Sequence, residues 1–228
     1  MAADGGYNAL AAVYERTFGP EAADASWRAV ERLLLPGLPS GERVLELCCG
    51  TGEMTARLLE HGYKVTAVDR SPAMLAYARG RAAGAKVVEA DIRSFKPRGR
   101  FAAALCAYNS LPHITDSREL GAVLGMVRRA LRPGGRFVFD LYPAAAFHHG
   151  WQGRLRAGQG AGACWLEAHF DAARQMGRTR VSWRGGAADL DVRCYSEREL
   201  RRLLRDAGFT RLRRWQPLLH GRVYWCCG

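Results

Sequence analysis

Lysine is scarce in this chain: only three of its 34 basic residues, Lys64, Lys86 and Lys96, are lysine, and the rest are arginine. No two cysteines stand at C-x-x-C spacing, so a structural zinc site has no ligand pattern to rest on, and no metal is expected. The seven cysteines are odd in number and include two adjacent pairs, Cys48-Cys49 and Cys226-Cys227. That is not a disulfide framework, and reduced, partly buried small residues are the expectation. No apolar run reaches the length of a bilayer span, which argues against a membrane partner. The opening "MAADGGYNAL" has no basic region followed by an apolar stretch, so no secretory leader is expected and a cytoplasmic protein is inferred.

The 228 residues suit one domain with a small appendage, and a hydrophobic content of 48% supplies a core. The net charge of +12 invites a nucleic-acid reading. The densest arginine cluster lies in "SERELRRLLRDAGF", where Leu200, Leu203 and Leu204 form one stripe and the arginines fall between them, as in an ordinary amphipathic helix. Elsewhere the arginines are scattered without interleaved aromatics. Nucleic acid is therefore permitted as a partner but not favoured.

Hydrophobic periodicity organises the chain. "YNALAAVYERTF" and "EAADASWRAVERLLL" read as helices. "ERVLELC" is a short buried strand, followed by the helix "GEMTARLLEHG". "YKVTAVD" is the next strand, and Ser71-Pro72 supplies an N-cap and first-turn proline for "PAMLAYARGRAAG". "AKVVEAD" and "RFAAALCAY" are strands, "DSRELGAVLGMVRRAL" a helix halted by Pro133-Gly134-Gly135, and "RFVFDLY" a fifth strand. This alternation predicts an α/β fold with a parallel sheet covered on both faces. After Tyr142 the period becomes two. "CWLEAHFD", "TRVSW" and "LDVRC" predict a small three-stranded antiparallel sheet with one covered face. Ser196 and Glu199 form a capping box for a last helix, and "TRLRRWQPL" and "RVYWCC" a closing strand pair.

The informative stretch is "VLELCCGTGEMT", residues 44–55. In an open parallel sheet, ligands bind beyond the C-terminal strand ends, and small residues in a loop there let a ligand approach the backbone. The dinucleotide fingerprint needs a third glycine, but Gly50 and Gly52 are followed by Glu53-Met54-Thr55. A phosphate loop needs Lys-Ser or Lys-Thr, also missing. Glu46, just before the loop, would repel a pyrophosphate and favour a cation. The combination points to a positively charged, phosphate-free adenosine ligand.

That ligand fits S-adenosylmethionine, and "LELCCGTG" resembles the first motif of class I S-adenosylmethionine-dependent methyltransferases. "VTAVDRSPAML", "EADIRSF", "LCAYNSLPHI" and "LRPGGRFVFDLY" resemble that family's next segments in order and spacing. The resemblance covers residues 7–142, and the closing helix and strand pair fit the same Rossmann-like, doubly wound seven-stranded sheet with its last strand antiparallel. It implies an S-adenosylmethionine-binding core over 1–142, an antiparallel β lid or substrate insert over 143–195, and a closing unit over 196–228. It also implies roles. Asp69 accepts the ribose hydroxyls, with Arg70 and Met74 following it. Asp91 takes the adenine amino group and the Ile92 amide a ring nitrogen. Glu46 lies near the methionine amine, and Cys48, Cys49, Gly50, Thr51 and Gly52 form the loop. Tyr7 and Tyr14 match tyrosines that cover the cofactor in small-molecule enzymes such as the sugar N-methyltransferases. S-adenosylhomocysteine is the implied product. Cys48-Cys49 and Asn109 depart from the commoner residues of the family.

The sulfonium donor is already a strong electrophile, so alignment is the protein's main task, worth roughly 7–11 kcal/mol. Tyr108, Asn109 and His113 follow the fourth strand beside the reacting centre. His113 is the best base candidate, with a structural role as the alternative. His148, His149, Trp151, Trp165, His169 and Trp183 stand where they line a lid pocket or pack the small sheet. The expected function is methyl transfer to nitrogen or oxygen of a small molecule, by a monomer or homodimer. A nucleic-acid methyltransferase and a non-catalytic cofactor-binding module are the alternatives. "YNSL" is not the Asn/Asp-Pro-Pro-Tyr/Phe of base-amine enzymes, and Cys106 lacks the proline of the cytosine-carbon nucleophile.

Overall fold

The computed structural model describes residues 6–217 and 221–228. Its centre is a seven-stranded sheet built from β1 (Arg43–Leu47), β2 (Lys64–Asp69), β3 (Lys86–Glu89), β4 (Phe101–Cys106), β5 (Leu131–Leu141), β10 (Leu212–Trp215) and β11 (Val223–Cys227). The strand order is β10-β11-β5-β4-β1-β2-β3. All neighbours are parallel except β11, which runs antiparallel to both β5 and β10. This is the expected α/β fold, last strand included.

The two faces divide by alternation along each strand. Leu45, Leu47 and Ala104 join the core beneath α5 (Ser117–Ala130) and α7 (Glu197–Asp206), with Phe137, Phe139 and Trp225. Val44, Ala103 and Leu105 face the other way, toward α2 (Gly19–Ala29), α3 (Glu53–Glu60) and α4 (Pro72–Arg81). The helix caps follow the sequence. Ser71 Oγ accepts from Met74 N, and Asp116 accepts from the Arg118 and Glu119 amides. The Ser196 cap accepts from Glu199 N, but the Glu199 carboxylate pairs with Arg193 at 3.0 Å, so only half of the expected capping box is seen.

Several boundaries shift. β5 begins at Leu131, running through the Pro-Gly-Gly turn with a register shift against β4. The helix after Ser71 stops at Arg81 rather than at Gly84. The second helix passes into one π-helical turn, Val30–Leu34. The strand expected over 210–218 is observed at Leu212–Trp215, and its final residue lies outside the described residues, as do residues 1–5 of the leader reading.

The second sheet has four strands, not three: β6 (Gly153–Ala157), β7 (Cys164–Asp171), β8 (Met176–Trp183) and β9 (Gly186–Arg193), all antiparallel. β6 escapes the periodicity argument because it is an edge strand with little burial on either face. A short helix, α6 (Ala144–Gly150), leads into it. The covered face packs Cys164, Val181 and Ala188 against Leu10 and Val13 of α1 (Tyr7–Thr17). α1 is also tied down elsewhere. Asn8 Oδ1 accepts from Ser71 Oγ at 2.7 Å, Thr17 Oγ1 donates to Gly162 O at 2.6 Å, and Glu15 pairs with Arg81. That helix therefore lies between the four-stranded sheet and the C-terminal end of the seven-stranded one.

Candidate active site

The loop leaving β1 turns on residues with positive φ: Cys48 (56°), Gly50 (55°) and Gly52 (83°). Gly52 is required by space as well as by φ, since a Cβ there would stand 2.9 Å from Ala78 Cα on α4. A Cβ on Gly50 would meet nothing nearer than Tyr14 Cε1 at 3.9 Å, so its backbone is open toward a cavity. The Gly50 amide donates to Asp69 Oδ2 and the Ser71 amide to Asp69 Oδ1, each at 2.9 Å. Asp69 thus clamps the β1 and β2 loops together while lining the cavity, with acceptor capacity left on both oxygens. Burial pushes its carboxyl above the usual range, against those two amide bonds.

This first chamber is a cleft of about 840 Å³, part of it open to solvent. Its wall brings together Tyr7, Tyr14, Cys48, Gly50, Asp69, Arg70, Met74, Asp91, Ile92, Tyr108 and His113 from the sequence expectation. Ala90, Arg93, Ser110 and Ile114 complete it and were not foreseen. Cys49, Thr51 and Gly52 lie behind the wall as loop support. So does Glu46, which is 2% exposed and turned toward α3, where its Oε2 accepts from Thr55 Oγ1 at 2.6 Å. Burial raises the Glu46 carboxyl to about 8, against the lowering effect of that hydroxyl. Asp91 is in the wall, yet both its oxygens are engaged by Arg93 (Nε at 3.0 and 3.1 Å, Nη2 at 2.6 Å), which holds the carboxyl below its ordinary value.

A second chamber of about 1330 Å³ adjoins the first. Tyr7, Tyr14, Tyr108 and His113 line both and form the shared wall. Leu10 and Phe18 of the N-terminal helices, Val181, Leu190 and Val192 of the small sheet, and Tyr142 and Trp151 make it largely apolar. Asn109 and Arg222 are its polar members at the sheet edge. The loop after β4 is strained there: Tyr108 has φ 70° and Asn109 φ 56°, a conformation costing on the order of 1–3 kcal/mol each. It is held by Asp140, whose Oδ2 accepts from Asn109 N at 3.1 Å and from Arg222 Nη1 at 2.9 Å. Asn109 Oδ1 accepts in turn from Tyr142 N at 3.1 Å.

His113 does not have the surroundings of a base. Its Nε2 is 2.9 Å from the Tyr7 hydroxyl, and the ring also bonds to the backbone of Asp191. A carbonyl only accepts, so the ring nitrogen facing Asp191 carries a proton, and with the ring neutral its Nε2 accepts from the Tyr7 hydroxyl. Burial, with Arg70 nearby, pushes its pKa down to about 4. Trp151 lines the second chamber as the lid reading expects, but Trp165 is 41% exposed and His169 faces outward with it. Trp183 packs beside Leu166 and Leu190 in the small sheet. His148 and His149 are exposed at the end of α6, His148 edge-on to Phe170. Arg222 and Asp140 were missed. Their signal is a charged residue at the end of an otherwise apolar strand: "FVFD" in one case and "RVYW" in the other.

The sheet order, with the glycine loop after β1 and a carboxylate at the end of β2, is that of the class I methyltransferase fold. Residues 44–135, the segment that holds the glycine loop and Asp69, match the methyltransferase domain family. Over 216 residues it is 24% identical to YqeM of Bacillus subtilis (strain 168), covering 89% of this chain and 86% of that protein. It is 35% identical over 150 residues to a malonyl-[acyl-carrier protein] O-methyltransferase of Serratia marcescens, covering 63% of this chain and 58% of that one. Among solved structures, an S-adenosylmethionine-dependent methyltransferase from Clostridium acetobutylicum ATCC 824 superposes with a TM-score of 0.77 at 20% identity, over 97% of this chain and 98% of that chain. DesVI of Streptomyces venezuelae gives 0.75 at 19% identity, over 96% of each.

Proposed function

We propose that the protein transfers a methyl group from S-adenosylmethionine to nitrogen or oxygen of a small molecule. The carrying observation is the pair of chambers that meet at Tyr7, Tyr14, Tyr108 and His113. One presents a carboxylate with spare acceptor capacity at an open glycine backbone, as an adenosine ribose requires. The other is apolar and enclosed by the small sheet. In this reading residues 1–142 are the cofactor core, 143–195 the lid and substrate insert, and 196–228 the closing unit. Among the relatives, a dTDP-3-amino-3,4,6-trideoxy-alpha-D-glucopyranose N,N-dimethyltransferase of Streptomyces venezuelae is 26% identical over 138 residues, which supports a small-molecule acceptor.

The sulfonium donor supplies an activated methyl group; the chain's own residues bind and orient. Asp69 accepts the ribose hydroxyls while keeping the Gly50 amide in place. The Ile92 amide and the cavity face of Asp91 border the adenine, and Met74 and Cys48 give apolar contact. Tyr7 and Tyr14 close the chamber from α1. Glu46 receives a positive charge at the loop by giving up its proton. His113 fixes the Tyr7 ring rather than taking a proton from the acceptor. Many arginines of the small sheet and α7 are spent on ion pairs, such as Arg178–Asp191, Arg180–Asp189 and Arg201–Glu197. That weakens the case for a nucleic-acid acceptor.

The test is turnover. Methyl-labelled S-adenosylmethionine is incubated with the protein and a panel of small amines, alcohols and acids, and S-adenosylhomocysteine is quantified. Acceptor-dependent release supports the reading. Release only with RNA would replace the acceptor class, and none with any acceptor would leave a binding module.

A further inference from the structure

The second chamber has in its wall a guanidinium with unused donors. Arg222 is 6% exposed, yet among the described residues only Nη1 of its five N–H groups has an acceptor, Asp140 Oδ2 at 2.9 Å. Its guanidinium lies 6.0 Å from the Tyr108 ring. The Tyr108 hydroxyl and the Trp151 indole N–H also lack a partner, but both are sealed from the open space, and a Cβ on Gly177 would stand 2.9 Å from Trp151 Nε1. Unpaired buried donors cost on the order of 1–3 kcal/mol each, so those of Arg222 favour a ligand that supplies acceptors. Among the described residues lining this chamber there is no carboxylate and no lysine. Asp140 lies behind Arg222 rather than in the wall. The one imidazole, His113, has its Nε2 taken by Tyr7 at 2.9 Å.

Resting on the methyltransferase reading above, we propose that the acceptor is an apolar carboxylic acid, anchored through its carboxylate by Arg222 and methylated on that carboxylate. Two independent features converge on this class. The guanidinium pairs with an oxygen acceptor and repels an ammonium group, and no carboxylate in the lining offsets that repulsion. The chamber also holds no free base, and a carboxylate needs none. One carboxylate oxygen gives its lone pair to the methyl carbon as the carbon–sulfur bond breaks and its pair goes to sulfur; the products are a methyl ester and the thioether, and no proton moves. Arg222 holds one oxygen, in the planar geometry a guanidinium offers a carboxylate. The guanidinium lies 6.0 Å from the ring of Tyr108, which lines both chambers, so the other oxygen is left on the side of the first.

The experiment uses the full chain saturated with S-adenosylhomocysteine. Phenylacetate, 3-phenylpropanoate, 4-phenylbutanoate and 2-naphthoate are titrated in, each against its neutral carboxamide. At least one acid is expected to bind tenfold or more tighter than its amide. Arg222→Lys should reduce that preference several-fold, and the double variant Arg222→Met/Asp140→Asn, which leaves no buried charge unpaired, should abolish it. Binding of S-adenosylhomocysteine reports whether each variant is folded. With methyl-labelled S-adenosylmethionine, the preferred acid should yield label released as methanol by mild base. Absence of preference for every acid, including no binding of any pair, overturns the proposal, as does a base-stable product or a preference that survives in the double variant. Failure of S-adenosylhomocysteine itself to bind strikes instead at the broader reading.

Discussion

The Tyr7 hydroxyl and His113 Nε2 lie 2.9 Å apart although 106 residues separate them in the chain. The contact joins α1 to the loop after β4, and the Asp191 backbone on β9 holds the far side of the imidazole. Three elements meet at one neutral ring on the wall between the chambers. His113 is therefore a positioning residue for Tyr7.

This arrangement makes a pH prediction. The imidazole's pKa is about 4 in the folded chain against 6.5 when free, so between those values the unfolded chain binds the proton first. Stability present above pH 6.5 is lost as pH falls toward 4. The loss is on the order of 2 kcal/mol, less than the full shift implies because the ring edge reaches solvent. His113→Gln should flatten the thermal-denaturation profile in this window and weaken cofactor binding about as much as Tyr7→Phe does. Profiles for wild type and His113→Gln that run parallel between pH 4 and 6.5 would refute the neutral-imidazole assignment.

Asp69 has two jobs, so its substitution has two effects. Asp69→Ala removes the acceptors for the Gly50 and Ser71 amides and should cost about 1–3 kcal/mol of stability along with the cofactor site. Asp69→Asn keeps one acceptor and should spare most of the stability while lowering S-adenosylhomocysteine affinity tenfold or more. Urea unfolding and calorimetry, run on both variants, separate the two. Unchanged affinity in Asp69→Asn would remove it from ribose binding.

Glu46 should act through its proton. Its carboxyl is raised to about 8 by burial, whereas the unfolded group titrates near 4.5. The favourable term is complete below 4.5 and is lost as pH rises through 8. Glu46→Gln should therefore be relatively more stable than wild type at pH 8 and bind S-adenosylmethionine more weakly. Binding to wild type at pH 7 should release a proton, seen as a calorimetric heat that differs between phosphate and Tris buffers. Equal heats, corrected for nothing but dilution, would separate Glu46 from the ligand's charge.

Gly52→Ala tests the loop. A side chain there must adopt φ 83° and press on the Ala78 backbone at 2.9 Å. The left-handed conformation alone costs about 1–2 kcal/mol, and α4 must shift as well. Lower stability and a weaker cofactor site are expected together. The same substitution at Gly50, where there is space, should leave stability closer to wild type.

Much of the first chamber was legible because its residues are local in sequence. Gly50, Gly52 and Asp69 sit at strand ends that hydrophobic periodicity locates, and glycine and aspartate have few other reasons to stand there. The second chamber was not. Arg222 is one arginine among many until β11 carries it beside Asp140, 82 residues away. The strand β6 reads "GRLRA" and buries little, so no alternation marks it. His113 looked like a base because sequence supplies the imidazole but not the Tyr7 hydroxyl that occupies it.

The central claim is tested most directly by titrating S-adenosylmethionine, S-adenosylhomocysteine and NAD into the protein by calorimetry. The account predicts micromolar binding of the first two, loss of that binding in Asp69→Asn, and none for NAD. Binding of NAD in preference to S-adenosylmethionine, or no binding of either sulfur compound, would contradict it.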